Sequence, residues 1–267
     1  MSVRTTISSK WYWVNRLFQG YAALGLSTGE PIDHLFIRRL EWRIVRRFAV
    51  LTGSGAICDV ACGGGNWTRR LFAKSGVTIG IDLDRQAIHS TAQETGAIGP
   101  IFVCADAAWM PFAQESFDRV VSICSLEHFE RDELALREMA RILRQDGTVV
   151  LTVDSLSHRH GLSGQTLERY RQRHSIRRCY DLADIERMAI ASGFVVEEAC
   201  YVLNSWFSNY LHRIWAEWDL RGVHCHRCEM LFPVIYPLAM VSDALFGSPH
   251  SGAILAVKLR KNGAPQS

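Results

Sequence analysis

The chain has 267 residues, 48% hydrophobic and 21% charged, with a formal net charge of +3. This is the balance of an ordinary soluble globular protein, long enough for one large domain with a full core or for a domain with a long insertion. The charge is too small by itself to argue for nucleic acid, and no segment offers the ~20 unbroken apolar residues that a membrane span needs.

Residues 1–50 read as a separate helical piece ahead of the sheet. MSVRTTISSKWYWVNRLF has no clean apolar core followed by a small-residue cleavage site, so no secretory leader is expected. The eight cysteines are scattered, several in strand-like runs (Cys58, Cys104, Cys124, Cys200), and are expected to be reduced thiols of a cytosolic protein. FIRRLEWRIVRRF (36–48) predicts an amphipathic helix. Phe36, Leu40, Ile44 and Phe48 recur at helical spacing, with Arg38, Arg39, Arg43, Arg46 and Arg47 elsewhere around it. A solvated basic face is the plainer reading; contact with anionic headgroups or a partner is the other.

From there β-branched runs alternate with helical stretches, which predicts a parallel sheet with helices on both faces. The expected strands are 56–61, 77–82, 101–105, 117–124, 147–153, 194–203 and 252–260. A polar, basic stretch follows the fifth strand, then the helix LADIERMAIASG, with Gly193 as its C-cap.

ICDVACGGGNWTRRLF (57–72) reads as a strand, a glycine turn and a helix start. Consecutive glycines are costly to order, so the backbone there is expected to hold something. Such a turn puts main-chain N–H groups and a helix N-terminus at the carboxyl edge of a parallel sheet, where open α/β folds bind ligands. Asp82 ends the next strand, placed to accept hydrogen bonds from a ribose. GGGNWT also gives G-x-G-x-x-T (Gly63, Gly65, Thr68), close to the dinucleotide fingerprint. An oxidoreductase is therefore the competing reading of the turn.

The series continues with CADAAWMPF, SFDRVVSICSLEHF and LREMARILRQDGTVVLTV. Together these resemble class I S-adenosylmethionine-dependent methyltransferases, especially the small-molecule methylases that include the ubiquinone and menaquinone C-methylases. The resemblance covers Ile57 to Val153 well and Tyr180 to Phe194 more loosely. It implies a Rossmann-like α/β fold with a seven-stranded sheet of order 3-2-1-4-5-7-6, and S-adenosylmethionine as cofactor. Asp59, Ala61, Cys62, Gly63 and Gly65 would form the first cofactor motif, around the methionine part. Asp82 would hold the ribose, with Leu83 beside it. Ala105, Asp106 and Ala107 would read the adenine, Asp106 accepting from its amino group. Ser125 and Leu126 would flank the transferred methyl. The chain departs from the family at Ala61, where glycine is usual. The RILRQDGTVVLTV block and the final strand pair argue against the dinucleotide reading.

Methyl transfer needs few catalytic side chains beyond positioning in a dry site. His128, just past the fourth strand, is the candidate general base. The plainer reading is that LEHF is a family spelling with His128 packed on the turn. The basic segment 157–178 is expected to face the acceptor, where its Arg and His side chains can pair with a phosphate or carboxylate; a simple polar loop is the alternative.

Residues 204–251 interrupt the last two strands, far beyond an ordinary hairpin connection. Trp206, Phe207, Tyr210, Trp215 and Trp218 gather there with Arg213 and Arg221, ahead of the apolar run 230–246. That composition suits a lid over a hydrophobic acceptor or a membrane interface. HCHRC (224–228) has the spacing of half a zinc knuckle, with His212 as the nearest extra ligand. No second pair matches, so a metal is not expected and a loop between two insertion helices is preferred.

The expected organisation is an N-terminal helical cap (1–50), a cofactor-binding core (51–203 and 252–262) and a helical insertion (204–251), with cap and insertion covering the acceptor pocket. The expected function is methyl transfer to a small, hydrophobic or lipid-linked acceptor by a cytoplasmic protein, with peripheral membrane contact left open. Two alternatives stand beside it: a nucleic-acid methyltransferase, for which no N/D-P-P-Y/F motif or Pro-Cys nucleophile is found, and a non-catalytic cofactor-binding module that docks to a membrane or partner.

Overall fold

The computed structural model describes residues 36–51, 55–96, 98–222 and 232–262. In chain order these form α1 (Phe36–Ala49), β1 (Ala56–Val60), α2 (Asn66–Ser75), β2 (Val77–Asp82), α3 (Arg85–Glu94), β3 (Ile101–Cys104) and β4 (Phe117–Ile123). A 3₁₀ turn (Leu126–His128) follows, then α4 (Asp132–Ile142), β5 (Leu143–Asp154), α5 (Gly164–Arg173), α6 (Leu182–Ala191), β6 (Phe194–Val202), α7 (Trp206–Leu220), α8 (Phe232–Phe246) and β7 (Ile254–Lys261).

The strands make one seven-stranded sheet of order β3-β2-β1-β4-β5-β7-β6. The first five are parallel to their neighbours, while β7 runs antiparallel between β5 and β6. The strand order expected from the sequence is therefore the observed one. It is not the 3-2-1-4-5-6 order of a two-half dinucleotide fold.

Side-chain alternation along the strands divides the buried residues between two faces. Cys58, Val60, Val120, Val149, Leu151, Leu255 and Val257 belong to one core, covered by Leu136 and Met139 of α4 and Ile185 and Met188 of α6. Ile57, Val121, Val150, Ile254 and Ala256 belong to the other, with α1, Trp67 and Leu71 of α2, and Ala216 of α7.

Three local expectations are corrected. β5 begins at Leu143, earlier than residue 147. The basic segment 157–178 is not all loop: it contains α5, on which Tyr170 is the buried residue. The apolar stripe of α1 keeps Leu40 and Phe48 but is wider than expected and shifted at Ile44. Ile37, Leu40, Val45 and Phe48 are buried while Ile44 is half-buried, and Glu41 lies fully buried within the stripe. The side chain of Phe36 and the HCHRC segment lie outside the described residues.

Candidate cofactor pocket and its acidic wall

β1 runs into a turn that is pinned from both sides. Cys62 N–H donates to Ile81 O at 2.9 Å, and Gly65 N–H donates to Cys62 O at 2.9 Å. Gly63 has φ +51° and Gly65 φ +71°, the left-handed region that glycine enters without penalty. Ala61 also has a positive φ, +61°. That is the physical reason a glycine suits the position. Gly63 N–H donates to Asp82 Oδ2 at 2.7 Å, and Asp84 N–H donates to Asp82 Oδ1 at 2.8 Å. Asp84 in turn caps α3.

A cavity of ≈ 570 Å³ opens at this carboxyl edge, a volume suited to a drug-sized ligand. Ala61, Asp82, Leu83, Ala105, Asp106 and Ala107 line it, and so do Ser125 and His128. Asp106 Oδ1 accepts from Ala108 N–H at 2.8 Å, which braces the loop after β3. At the mouth, the Arg131 guanidinium sits 4.5 Å from the exposed Trp109 ring.

The other expected residues lie off the lining. Cys62 is buried in the turn, and Gly63 and Gly65 contribute backbone behind it. Asp59 is 1% exposed and accepts from Thr68 Oγ1 at 2.6 Å, tying β1 to the first turn of α2. Burial pushes its carboxyl up to about 7, against the Thr68 hydrogen bond, which lowers it. Leu126 packs into the core below the sheet edge. His128 is exposed, with Nδ1 3.1 Å from Ser175 O. Nδ1 therefore donates, and Nε2 is left as the acceptor.

Next to Cys124, and off the lining, lies a buried acidic cluster that the sequence reading missed. Cys124 lines the cavity and donates its thiol to Glu41 Oε1 at 2.6 Å. Glu41 is fully buried and pairs with Arg38 at 2.7 Å. Thr152 Oγ1 also donates to Glu41 Oε1, at 3.3 Å. Asp154, the last residue of β5, and the buried Glu127 complete the cluster: Asp154 N–H donates to Glu127 Oε1 at 3.3 Å. Desolvation, then the neighbouring Asp154 charge, raises the Glu127 carboxyl far above the carboxylate range. Burial and Glu41 push Asp154 up to about 7, with Arg38 opposing. One signal was legible beforehand. Helical spacing places Ile37, Glu41 and Val45 on one stripe, with a carboxylate between two apolar residues.

The basic segment mostly pairs internally. Arg173 and His174 hold Asp219 of α7 at 2.7 and 3.0 Å, and Arg178 lies between Asp132 and Asp184. Arg177 is the member that reaches the cavity lining. No residue of 204–251 lines this cavity among those described. The insertion packs on Tyr170 of α5 instead: Trp215 and His212 make edge-on ring contacts with it, at 6.5 and 5.9 Å. His212 is 4% exposed, and burial lowers its ring to about 4, so it is a neutral packing residue.

The residues present fit S-adenosylmethionine. Gly63 has nothing within 4 Å of where a Cβ would stand, so a ligand can approach its backbone. Asp82 and Asp106 line the cavity beyond β2 and β3, and each carboxylate can accept about four hydrogen bonds, more than the backbone takes here.

Residues 58–151 match the family model described as a methyltransferase domain. Over 118 residues the chain is 31% identical to the methyltransferase GfsG of Streptomyces halstedii, covering 42% of each protein. It is 33% identical over 112 residues to demethylmenaquinone methyltransferase of Staphylococcus aureus, covering 40% of this chain and 46% of that one. The matched region thus spans less than half the length of these curated relatives. Among solved structures, an S-adenosylmethionine-dependent methyltransferase from Mesorhizobium loti superposes with a TM-score of 0.56 at 17% identity, covering 83% of this chain and 98% of that one. Residues 58–151 are thus similar to a methyltransferase domain, and the chain has the fold of the class I S-adenosylmethionine-dependent methyltransferases.

Proposed function

We propose that this protein transfers a methyl group from S-adenosylmethionine to a small-molecule acceptor. The observation that carries this reading is the cavity at the carboxyl edge of β1, β2 and β4, which gathers Ala61, Asp82, Asp106 and Ser125 from separate stretches of sequence. The methyltransferase-domain match over the same stretch of chain supports it.

The cofactor, when bound, supplies a methyl on a sulfonium whose departure leaves a neutral thioether. The chain's part is chiefly placement. Asp82 holds the turn and accepts from ribose hydroxyls, and Asp106 accepts from the adenine amino group. Ser125, 4% exposed at the end of β4, forms the floor. The acceptor enters from the side of Cys124, Arg177 and His128, which line the same cavity. His128 Nε2 is the atom available to take a proton from the acceptor.

The acceptor is proposed to be lipophilic or lipid-linked, with peripheral membrane contact through the insertion. Trp206 and Tyr210, one turn apart on α7, are exposed; so are Leu238, Val241 and Leu245 along one face of α8, with Phe246 beside them. Such a surface suits the membrane interface. Among the described residues, no helix is long and apolar enough to cross a membrane.

Calorimetric titration with S-adenosylmethionine, S-adenosylhomocysteine and NADH tests the reading. Micromolar binding of both sulfur compounds and none of NADH is expected. Binding of neither sulfur compound overturns it.

A further inference from the structure

Three ligand-type atoms meet in the acidic cluster. The Cys124 Sγ and one carboxylate oxygen each of Glu127 and Asp154 lie within 4.8 Å of one another. The elements that carry them are rigid. Cys124 follows β4 and Asp154 ends the adjacent, register-paired β5, and Cys124 N–H is held by Thr152 O at 2.8 Å and Thr152 Oγ1 at 3.0 Å.

A second observation points to a missing partner. Glu127 is 1% exposed, and its Oε2 has no hydrogen-bond donor among the described residues. A buried carboxyl oxygen without a partner is costly; without an ion, burial keeps the group protonated, and a cation can take the proton's place. The charges agree. Glu41, Glu127 and Asp154 face one another, and the cation that offsets them is Arg38 of α1, already paired with Glu41. Tyr170 of α5 and Cys179 stand beside Asp154 as neutral groups, both held protonated by burial. There is also a route in: Cys124 lines the ≈ 570 Å³ cavity, and Asp154 keeps some accessible surface.

We propose that Cys124, Glu127 and Asp154 form a binding site for a divalent transition-metal ion of the zinc type. One sulfur and two oxygens are the donors of such an ion rather than of magnesium or calcium, which take oxygen alone. Reaching bond lengths of about 2.3 Å to sulfur and about 2.1 Å to oxygen requires each ligand to move by roughly half an ångström. The metal–sulfur bond replaces the S–H bond of Cys124, and the thiol proton leaves to solvent. Arg38, which hydrogen-bonds the sulfur, supports the thiolate, while the Glu41 charge, which loses its hydrogen bond as the proton leaves, opposes it and has to be offset by Arg38 and the ion. Carboxyl protons held by Glu127 and Asp154 leave as well, so affinity rises with pH. A three-ligand site keeps a position open for an oxygen of the acceptor. That role rests on the methyl-transfer reading; the binding itself does not.

The test is titration of the full chain with cobalt(II) chloride, followed by displacement with zinc chloride. The Cys225→Ser/Cys228→Ser double variant removes the other cysteine-rich segment from consideration. One equivalent of cobalt is expected to give a thiolate-to-metal charge-transfer band in the wild type and in the double variant, and none in Cys124→Ser. Zinc affinity is expected to fall at least about tenfold in Glu127→Gln and Asp154→Asn. A band that survives Cys124→Ser, or that is absent from the double variant, overturns the proposal. Cys124→Ser keeps a donor to Glu41, and circular dichroism checks its fold. If that variant does not fold, the two carboxamide variants decide, and unchanged zinc affinity in both overturns the site.

Discussion

The main-chain N–H of Gly63 donates to Asp82 Oδ2 across 2.7 Å, so the glycine turn after β1 and the carboxylate after β2 are one unit. Asp82 therefore shapes the turn as well as lining the cavity. Asp82→Ala is expected to weaken S-adenosylhomocysteine binding by at least about tenfold, the loss of one or two hydrogen bonds to a charged group. Asp82→Asn, which keeps an oxygen acceptor, should lose less. Calorimetric titration of both variants checks this; unchanged affinity in Asp82→Ala would remove Asp82 from the site.

Two glycines of the same turn should respond differently to alanine. At Gly65 a Cβ would stand 2.6 Å from the Phe102 ring and from Thr91 Cγ2, with φ +71°. At Gly63, with φ +51°, it would meet nothing within 4 Å. Gly65→Ala is expected to cost about 2–4 kcal/mol from overpacking and backbone strain together. Gly63→Ala should cost about 1–2 kcal/mol from strain alone. Denaturant melts of the two variants give the comparison, and equal losses would contradict the packing at Gly65.

Asp59 makes stability depend on pH. Its carboxyl is raised from 3.8 to about 7 in the folded chain. Below about pH 4 both states hold the proton. Between about pH 4 and pH 7 only the folded state holds it, so this contribution to stability is lost as pH rises and is flat above. Asp59→Asn is expected to flatten the decline over that window, by an amount on the order of 4 kcal/mol at most. The readout is the urea midpoint against pH; parallel curves for wild type and variant would show that Asp59 is not the source.

Glu41 is fully buried and holds Arg38, whose side chain is 33% exposed. Glu41→Ala leaves that guanidinium unpaired and the Cys124 thiol without its acceptor. A loss of about 1–3 kcal/mol is expected, discounted from the fully buried case because Arg38 reaches water. Glu41→Gln retains an acceptor for Cys124 and should recover part of it. Thermal unfolding of the pair tests the assignment.

The insertion's exposed row has its own test. Leu238 and Leu245 are 52% and 67% exposed on α8. Leu238→Glu/Leu245→Glu should leave thermal stability almost unchanged and reduce co-sedimentation with anionic phospholipid vesicles several-fold. Equal co-sedimentation of variant and wild type would argue against lipid contact there.

The glycine turn and the carboxylate that ends β2 were legible in advance because each announces itself within a few residues. The loop with Asp106 and the strand order came from the resemblance to the methyltransferase family, since neither follows from the alternation of strand and helix. The α1 stripe was read correctly at Leu40 and Phe48 but missed Ile37, Glu41 and Val45, because Phe36, Leu40, Ile44 and Phe48 satisfy a helical period as well as Ile37, Glu41, Val45 and Phe48 do. Packing against β5, β6 and β7 chooses between them.

By itself, then, the sequence determined the class of sheet, the glycine turn after β1 and the carboxylate that ends β2, since each depends on backbone conformation over a short span. Only the tertiary structure decided that Asp59 faces Thr68 rather than the cavity, and that Glu41, Cys124, Glu127 and Asp154 share one cluster. Glu41 and Cys124 are 83 positions apart, and no local rule connects them. Their meeting depends on α1 lying across the sheet and on β4 and β5 ending side by side, which long-range packing alone sets.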